Sequence, residues 1–445
     1  MTQTPAAADL AVPARWVIPV EGSERVLDHH AVIVRDGRIA DVLPSEQAGA
    51  RWRADETVKL DRHALIPGLV NAHTHAAMSL FRGLSDDLPL MTWLEEHIWP
   101  AEGKWMSAPF VADGTRLAAA EMIRGGTTCF GDMYFFPDTI ARVSREAGIR
   151  AAIFTGILDF PTPMGNGPED YLRAAMNAAD TWRHEPRITI GFGPHAPYTV
   201  SDAPLEKVRT YAEELDAPIM MHVHETAEEV QQAVEATGER PLARLHRLGL
   251  LSPRFMAVHM TDLSEDEIEL ARETGLHVTH CPESNMKLAN GFCRVEQLRQ
   301  SGLHLALGTD GAASNNDLDM LGEMRTAALL GKSVAHDPSA LPAAAVLEMA
   351  TLGGARSLGL DQQVGSLVPG KQADMAAIDL GEPETQPLYD PLAQIIYAAT
   401  RSQVSHTWVA GQCLMNQREL TTINAERLRQ DVTRWNHRIA EDGDE

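Results

Sequence analysis

Apolar positions along the chain change texture twice. Between Ala14 and Leu60 they form short runs, at 16–20, 31–34 and 39–43, with an Asp36-Gly37 turn before the last, and these predict a meander of β-hairpins. After Pro67 the runs become continuous and alternate with amphipathic stretches, the pattern of a parallel sheet covered by helices. Candidate strands at 65–72, 127–132, 150–155, 188–193, 218–222, 256–259, 277–280 and 304–307 suffice to close a TIM-like (β/α)8 barrel. The spacing at 204–215 and 265–273 predicts exposed helices, and 342–358 a helix in the last barrel position. Strand texture then returns at 370–379 and 404–414, and 425–440 reads as a surface helix. The expected fold class is α/β. Residues 67–369 form the barrel, and 1–66 and 370–445 join in a small β-sandwich beside it.

Composition narrows the partners. With 62 acidic and 38 basic residues among 445, the formal charge of -24 repels phosphate backbones and anionic bilayers, so neither nucleic acid nor membrane is expected. Residues 1–10 lack the basic-then-apolar layout of a secretory leader, which predicts a cytoplasmic location. Cys129, Cys281, Cys293 and Cys413 are scattered without a Cys-x-x-Cys pair, so they predict buried thiols and not a disulfide framework.

The chemistry gathers at the predicted strand ends, where loops of such a barrel open. His73 and His75 close the first strand, and strand alternation points both imidazoles the same way. His195 follows the fourth strand, His222, His224 and Glu225 end the fifth, His259 the sixth, and Asp310 lies past the eighth. Three imidazoles and a carboxylate suit a borderline divalent ion such as Zn²⁺, with Fe²⁺ as the alternative. His73, His75, His222 and Asp310 are the expected ligands, and His224, of the same parity as His222, is a rival. The fourth strand lacks a lysine that could bridge two ions, so one ion per chain is expected. Such an ion lowers the pKa of a coordinated water towards neutrality. Glu225, three residues past His222, is the candidate acid/base, and His259 and Asp310 can assist proton transfer.

Five stretches carry a family resemblance: Pro67 to His75, Gly191 to Tyr198, His222 to Thr226, Ser284 to Gly291, and Leu307 to Asn316. Through them the chain resembles the amidohydrolase superfamily, and within it the 5-methylthioadenosine/S-adenosylhomocysteine deaminases and their triazine chlorohydrolase relatives. The resemblance implies zinc, His222 rather than His224 as third ligand, and hydrolytic release of ammonia from an adenine ring. It gives Glu225, with Asp310 and His259, the proton transfers. It also gives Glu102 the grip on ribose hydroxyls and His195 a contact to substrate, and it implies a homo-oligomer. The excursion 78–105, with Phe81, Met91, Trp93, Trp99 and Trp105, is a candidate lid over a purine and thioether. Thr155 stands where some relatives place an arginine for an amino-acid tail, so the methylthio nucleoside is the expected substrate, with S-adenosylhomocysteine or adenosine as further ones. Alternatives on the same site are deamination of guanine, cytosine or a pterin, and triazine dechlorination. A barrel scaffold without chemistry would have lost ligands that are all present here.

Overall fold

A computed structural model describes residues 5–21 and 25–441; the first four residues of the stretch read as lacking a leader lie outside it. Its centre is an eight-stranded parallel sheet whose strands pair in chain order: Leu69–Thr74, Thr127–Tyr134, Arg150–Ile157, Ile188–Pro194, Ile219–Val223, Phe255–His259, His277–His280 and His304–Leu307. Every residue of the second and third strands is buried, as expected where helices cover one face and the barrel interior the other. The first and eighth strands meet at the seam. There Asp310 N–H donates to His73 O (3.0 Å), and Asn71 binds Thr309 through both amide atoms. Gly308 makes this approach possible, because a Cβ there would lie 2.7 Å from His73 N.

The two termini build a second, nine-stranded mixed sheet. They join where Leu60–Pro67 pairs antiparallel with Met375–Asp379, Ala376 opposite Ile66. The single strand expected at 65–72 is in fact two. Leu60–Pro67 belongs to the terminal sheet and Leu69–Thr74 to the barrel, with Gly68 at the crossing, where a Cβ would collide with Thr128 at 2.1 Å. The stretch 370–379 is strand only over Met375–Asp379, and 404–414 is a hairpin, Val404–Val409 and Gln412–Asn416, turning at Ala410-Gly411. Hydropathy also understates the first strand, which runs from Ala6 to Val17, and misses the charged edge strand Trp52–Thr57.

Helices fill the crossovers near the expected positions, as at Asp202–Leu215 and Glu265–Thr274. The second begins with a full capping box between Ser264 and Glu267. The 342–358 stretch is helical with a π-turn at Met349–Gly353, and it lies against the first and eighth strands.

Candidate active site

The barrel's C-terminal end opens into a cavity of about 370 Å³ whose floor holds His75, His195, His222, Glu225, His259 and Asp310. His73 is fully buried just beneath. His75 Nδ1 donates to Met133 O (2.7 Å) and His222 Nδ1 to His195 O (2.9 Å), so each ring must leave Nε2 unprotonated when neutral. His73 Nδ1 faces Met220 Sδ at 3.0 Å, which turns its Nε2 the same way. Those nitrogens converge: His222 Nε2 is 3.2 Å from His73 Nε2, and Asp310 Oδ1 is 3.4 Å from His73 Nε2 and 3.2 Å from His75 Nε2. Lone pairs brought this close repel unless a cation sits between them, and two triads that share His73, one with His75 and Asp310 and one with His222 and His259, have the spacing to hold a divalent ion.

Electrostatics agree. Burial lowers His73 to about 4 and His222 well below the usual imidazole range, which keeps both rings neutral. Burial would lower His75 too, but its hydrogen bond to Asp310 and their charge attraction prevail and raise it to about 9. Asp310, despite burial, is held well below the usual carboxylate range by the imidazoles. That pull on positive charge is what a cation at this point would feel.

His224, the rival ligand, is turned out of the site. The strand ends at Val223 and His224 takes φ +52°, which breaks the alternation that would have aligned it with His222. Its ring instead donates to Asp262 O (2.7 Å) and accepts from Leu242 N–H (3.2 Å). Glu225 does face the cavity, its Oε1 3.8 Å from His259 Nε2, and burial raises its pKa. His195 lies beside His222 with ring centroids 4.9 Å apart, its Nδ1 3.0 Å from Thr199 Oγ1.

The excursion over the cavity is a 3-10 turn at Ala76–Phe81 followed by Leu90–Thr92, a π-turn at Trp93–Ile98 and the helix Trp99–Trp105. Trp93 and Trp99 line the cavity, with Phe135, Leu158 and Phe160 opposite. Phe81 does not; it packs on Phe110, ring centroids 4.7 Å apart. Met91 is exposed, and Trp105 lies beneath the Arg438 guanidinium. Glu102 points inward and accepts from Tyr134 O–H at 2.6 Å.

The pattern of the family described as the amidohydrolase family matches residues 64–414. The chain belongs to the amidohydrolase family. Among its relatives is a 5-methylthioadenosine/S-adenosylhomocysteine deaminase of Saccharophagus degradans, 49% identical over 97% of either chain. A protein of the same name from Teredinibacter turnerae is 45% identical over 97% of this chain and 98% of its own. A crystal structure of an adenosine deaminase from Xanthomonas campestris with bound zinc is 51% identical, covers 98% of this chain and 100% of its own, and has a TM-score of 0.97. An atrazine chlorohydrolase of Arthrobacter aurescens, 22% identical over 96% of this chain and 99% of its own, shares the fold at a TM-score of 0.89.

This amidohydrolase also holds functional candidates that the motif reading passed over. Asp132, near the end of the second strand, accepts from Thr74 O–H (3.1 Å) and Ala76 N–H (2.6 Å) and so braces the turn around His75. Its position at a strand end was the available signal. Glu229 accepts from the backbone N–H of His224 and Glu225, and burial raises it to about 8. Tyr134 had no signal, since an aromatic at a strand end reads as core. No helix among the described residues is long and apolar enough to cross a membrane.

Proposed function

We propose that this amidohydrolase hydrolytically deaminates an adenosine-type nucleoside, 5'-methylthioadenosine in preference to S-adenosylhomocysteine or adenosine, with one zinc ion per chain. The observation that carries the reading is the convergence of three Nε2 atoms and Asp310 Oδ1 on the floor of a cavity whose side wall holds a half-buried Glu102. The relatives named as deaminases of these nucleosides, at 45–49% identity over nearly the whole chain, support it. His73, His75, His222 and Asp310 would hold the ion, and its chemistry is Lewis-acid activation of a water towards attack on an electron-poor carbon.

The protein's own groups do the rest. Glu225, its carboxyl raised by burial, accepts the proton of the attacking water and delivers it to the ring nitrogen beside the reacting carbon. That ring then ceases to be aromatic at the attacked position, and the O–H bond of the added hydroxyl breaks as its proton passes, with help from Asp310 and His259, to the amine, which departs as ammonia while the C=O bond forms. His195 sits where it can donate to the ring edge. Glu102, oriented by Tyr134, accepts from ribose hydroxyls as a charge-assisted acceptor.

The tail preference follows from the cavity wall. Trp93, Trp99, Leu158 and Phe160 line the same cavity as Glu102, and among the described residues neither Arg nor Lys lines it. Thr155 is buried in the third strand, and Arg150 lies at the opposite end of it, paired with Asp374. A methylthio group meets apolar surface there; a homocysteine carboxylate would be desolvated without a counter-charge. Zinc-loaded protein should erase the adenosine absorbance band of methylthioadenosine while releasing ammonia. If methylthioadenosine, adenosylhomocysteine and adenosine all survive incubation, the substrate assignment is wrong.

A further inference from the structure

One short segment after the seventh strand, the helix Pro282–Lys287 and the turn behind it, touches each group to which the proposed mechanism gives a proton. Ser284 O–H donates to Asp310 Oδ2 (2.6 Å), Asn285 Oδ1 accepts from His259 Nδ1 (2.8 Å), and Asn290 Nδ2 donates to Glu225 Oε1 (3.0 Å). All three side chains are buried. The segment is pinned in turn. Asn290 N–H donates to Asn285 O (2.9 Å), and Thr261 O–H donates to both Asn290 O (3.1 Å) and Glu225 O (2.9 Å). Ala289 is held at φ +55°, a left-handed conformation that a non-glycine residue adopts only where its surroundings impose it.

The contact to Glu225 has an atomic consequence. The last torsion of a glutamate is broad and nearly two-fold, so an unheld carboxylate presents either oxygen. Here the Asn290 amide bonds Oε1, His259 Nε2 lies 3.8 Å from the same oxygen, and no protein hydrogen bond reaches Oε2 among the described residues. We infer that Asn290 is a positioning residue which clamps Oε1 of Glu225 and so makes Oε2 the oxygen that carries the proton. The inference rests on the functional reading above. In that step an O–H bond of the attacking water breaks as Oε2–H forms, and Oε2–H then breaks as the proton passes to the ring nitrogen. Without the clamp the carboxylate samples orientations in which its proton-carrying oxygen misses the ring, and turnover falls while substrate binding is kept.

The test combines kinetics with crystallography. On whichever nucleoside the wild type deaminates, Asn290→Ala should lower kcat about 10–100-fold with KM within about twofold, the size expected for a lost hydrogen bond to a charged group. In a Glu225→Gln background the same change should cost less than about twofold, because Asn290 acts only through Glu225. Equal losses in the two backgrounds, or a loss confined to KM, overturn the proposal. Should Asn290→Ala fail to fold, Asn290→Leu, of similar volume and without a donor, takes its place. Crystal structures of metal-loaded wild type and variant give an answer that needs no turnover. Glu225 should be singly oriented with Oε1 on Asn290 in the first and rotated or split in the second, and an unchanged carboxylate in the variant overturns the assignment. A wild type inert to every nucleoside would sink the functional reading while this comparison still decides the role of Asn290.

Discussion

At the start of the third barrel strand the Arg150 guanidinium meets Asp374 at 3.1 and 3.2 Å, Gln372 Oε1 at 2.9 Å and Pro186 O at 3.0 Å. Asp374 in turn accepts from Ala410 N–H (2.7 Å). At the other end of the same barrel, His73, His75, His222 and Asp310 crowd together with their acceptor atoms facing one another. Both clusters are buried and both are charged or chargeable, yet they differ in where their bonding is directed. The first closes on itself and ties the barrel to the terminal sheet, every charge in it meeting a partner. The second points at a common centre beneath a cavity, and His259, Met260 and Asp310 beside it take positive φ. Buried polarity marks a site when its bonding is left incomplete and directed at one point.

Removing one member from each cluster should therefore produce opposite phenotypes. His73→Ala should cost at least about a thousandfold in activity, since Lewis-acid activation is worth several kcal/mol, together with loss of bound metal. The metal-free protein should melt within a few degrees of metal-free wild type. Activity and metal content of the folded variant are the measurements, and a variant that unfolds but stays active when folded would erase the contrast. Arg150→Met should do the reverse. It strands Asp374 as an uncompensated buried charge, at about 3–5 kcal/mol of stability. Denaturant unfolding should register that loss while metal content and KM of the folded protein stay at wild-type values.

How much of this could be read from residues alone follows the same division. The His-x-His of the first strand was legible because strand alternation fixes its parity, and the eight apolar runs were legible because strands buried on both faces lack polar interruptions. His224 carried the same parity signal and was misleading, since only the left-handed turn at its own backbone decides its direction. The Arg150–Asp374 pair spans 224 positions, and no local pattern joins them. Ser284, Asn285 and Asn290 stood within a quoted motif without assignable roles, because their partners come from three other strand ends. The Ala-rich strand Ala6–Val17 and the charged strand Trp52–Thr57 owe their conformation to each other's pairing more than to propensity.

The contrast can be sharpened with acid. His277, at the beginning of the seventh strand, belongs to the Arg150 end of the barrel, and its ring stacks on His304 with centroids 5.1 Å apart. Burial, and then the neighbouring His304, lower it from 6.5 to about 4. The unfolded chain takes up this proton below pH 6.5 and the folded chain only near 4, so stability drains as pH falls through that window, by up to about 3 kcal/mol. His277→Phe keeps a ring on His304 and removes the titration. Its unfolding free energy should fall less steeply than wild type between pH 6.5 and 4, with activity at neutral pH unchanged. Parallel slopes for the two proteins would show that this end of the barrel does not contribute to acid sensitivity.

The finest test lies inside the site, between the floor that acts on a ring and the wall that holds what the ring is attached to. Glu102 stands on the cavity wall, is fixed by Tyr134, and is given no proton transfer in the mechanism proposed above. Glu102→Ala removes a charged acceptor worth roughly 1.5–3 kcal/mol, so kcat/KM for methylthioadenosine should fall about 10–100-fold. Any residual turnover of free adenine, which has no ribose, should not change. Tyr134→Phe leaves the carboxylate in place but unsteadied, and should cost a smaller share of the same loss on nucleosides only. Equal losses on nucleoside and base would make Glu102 part of the floor, and the division of labour between the catalytic end and its wall would have to be redrawn.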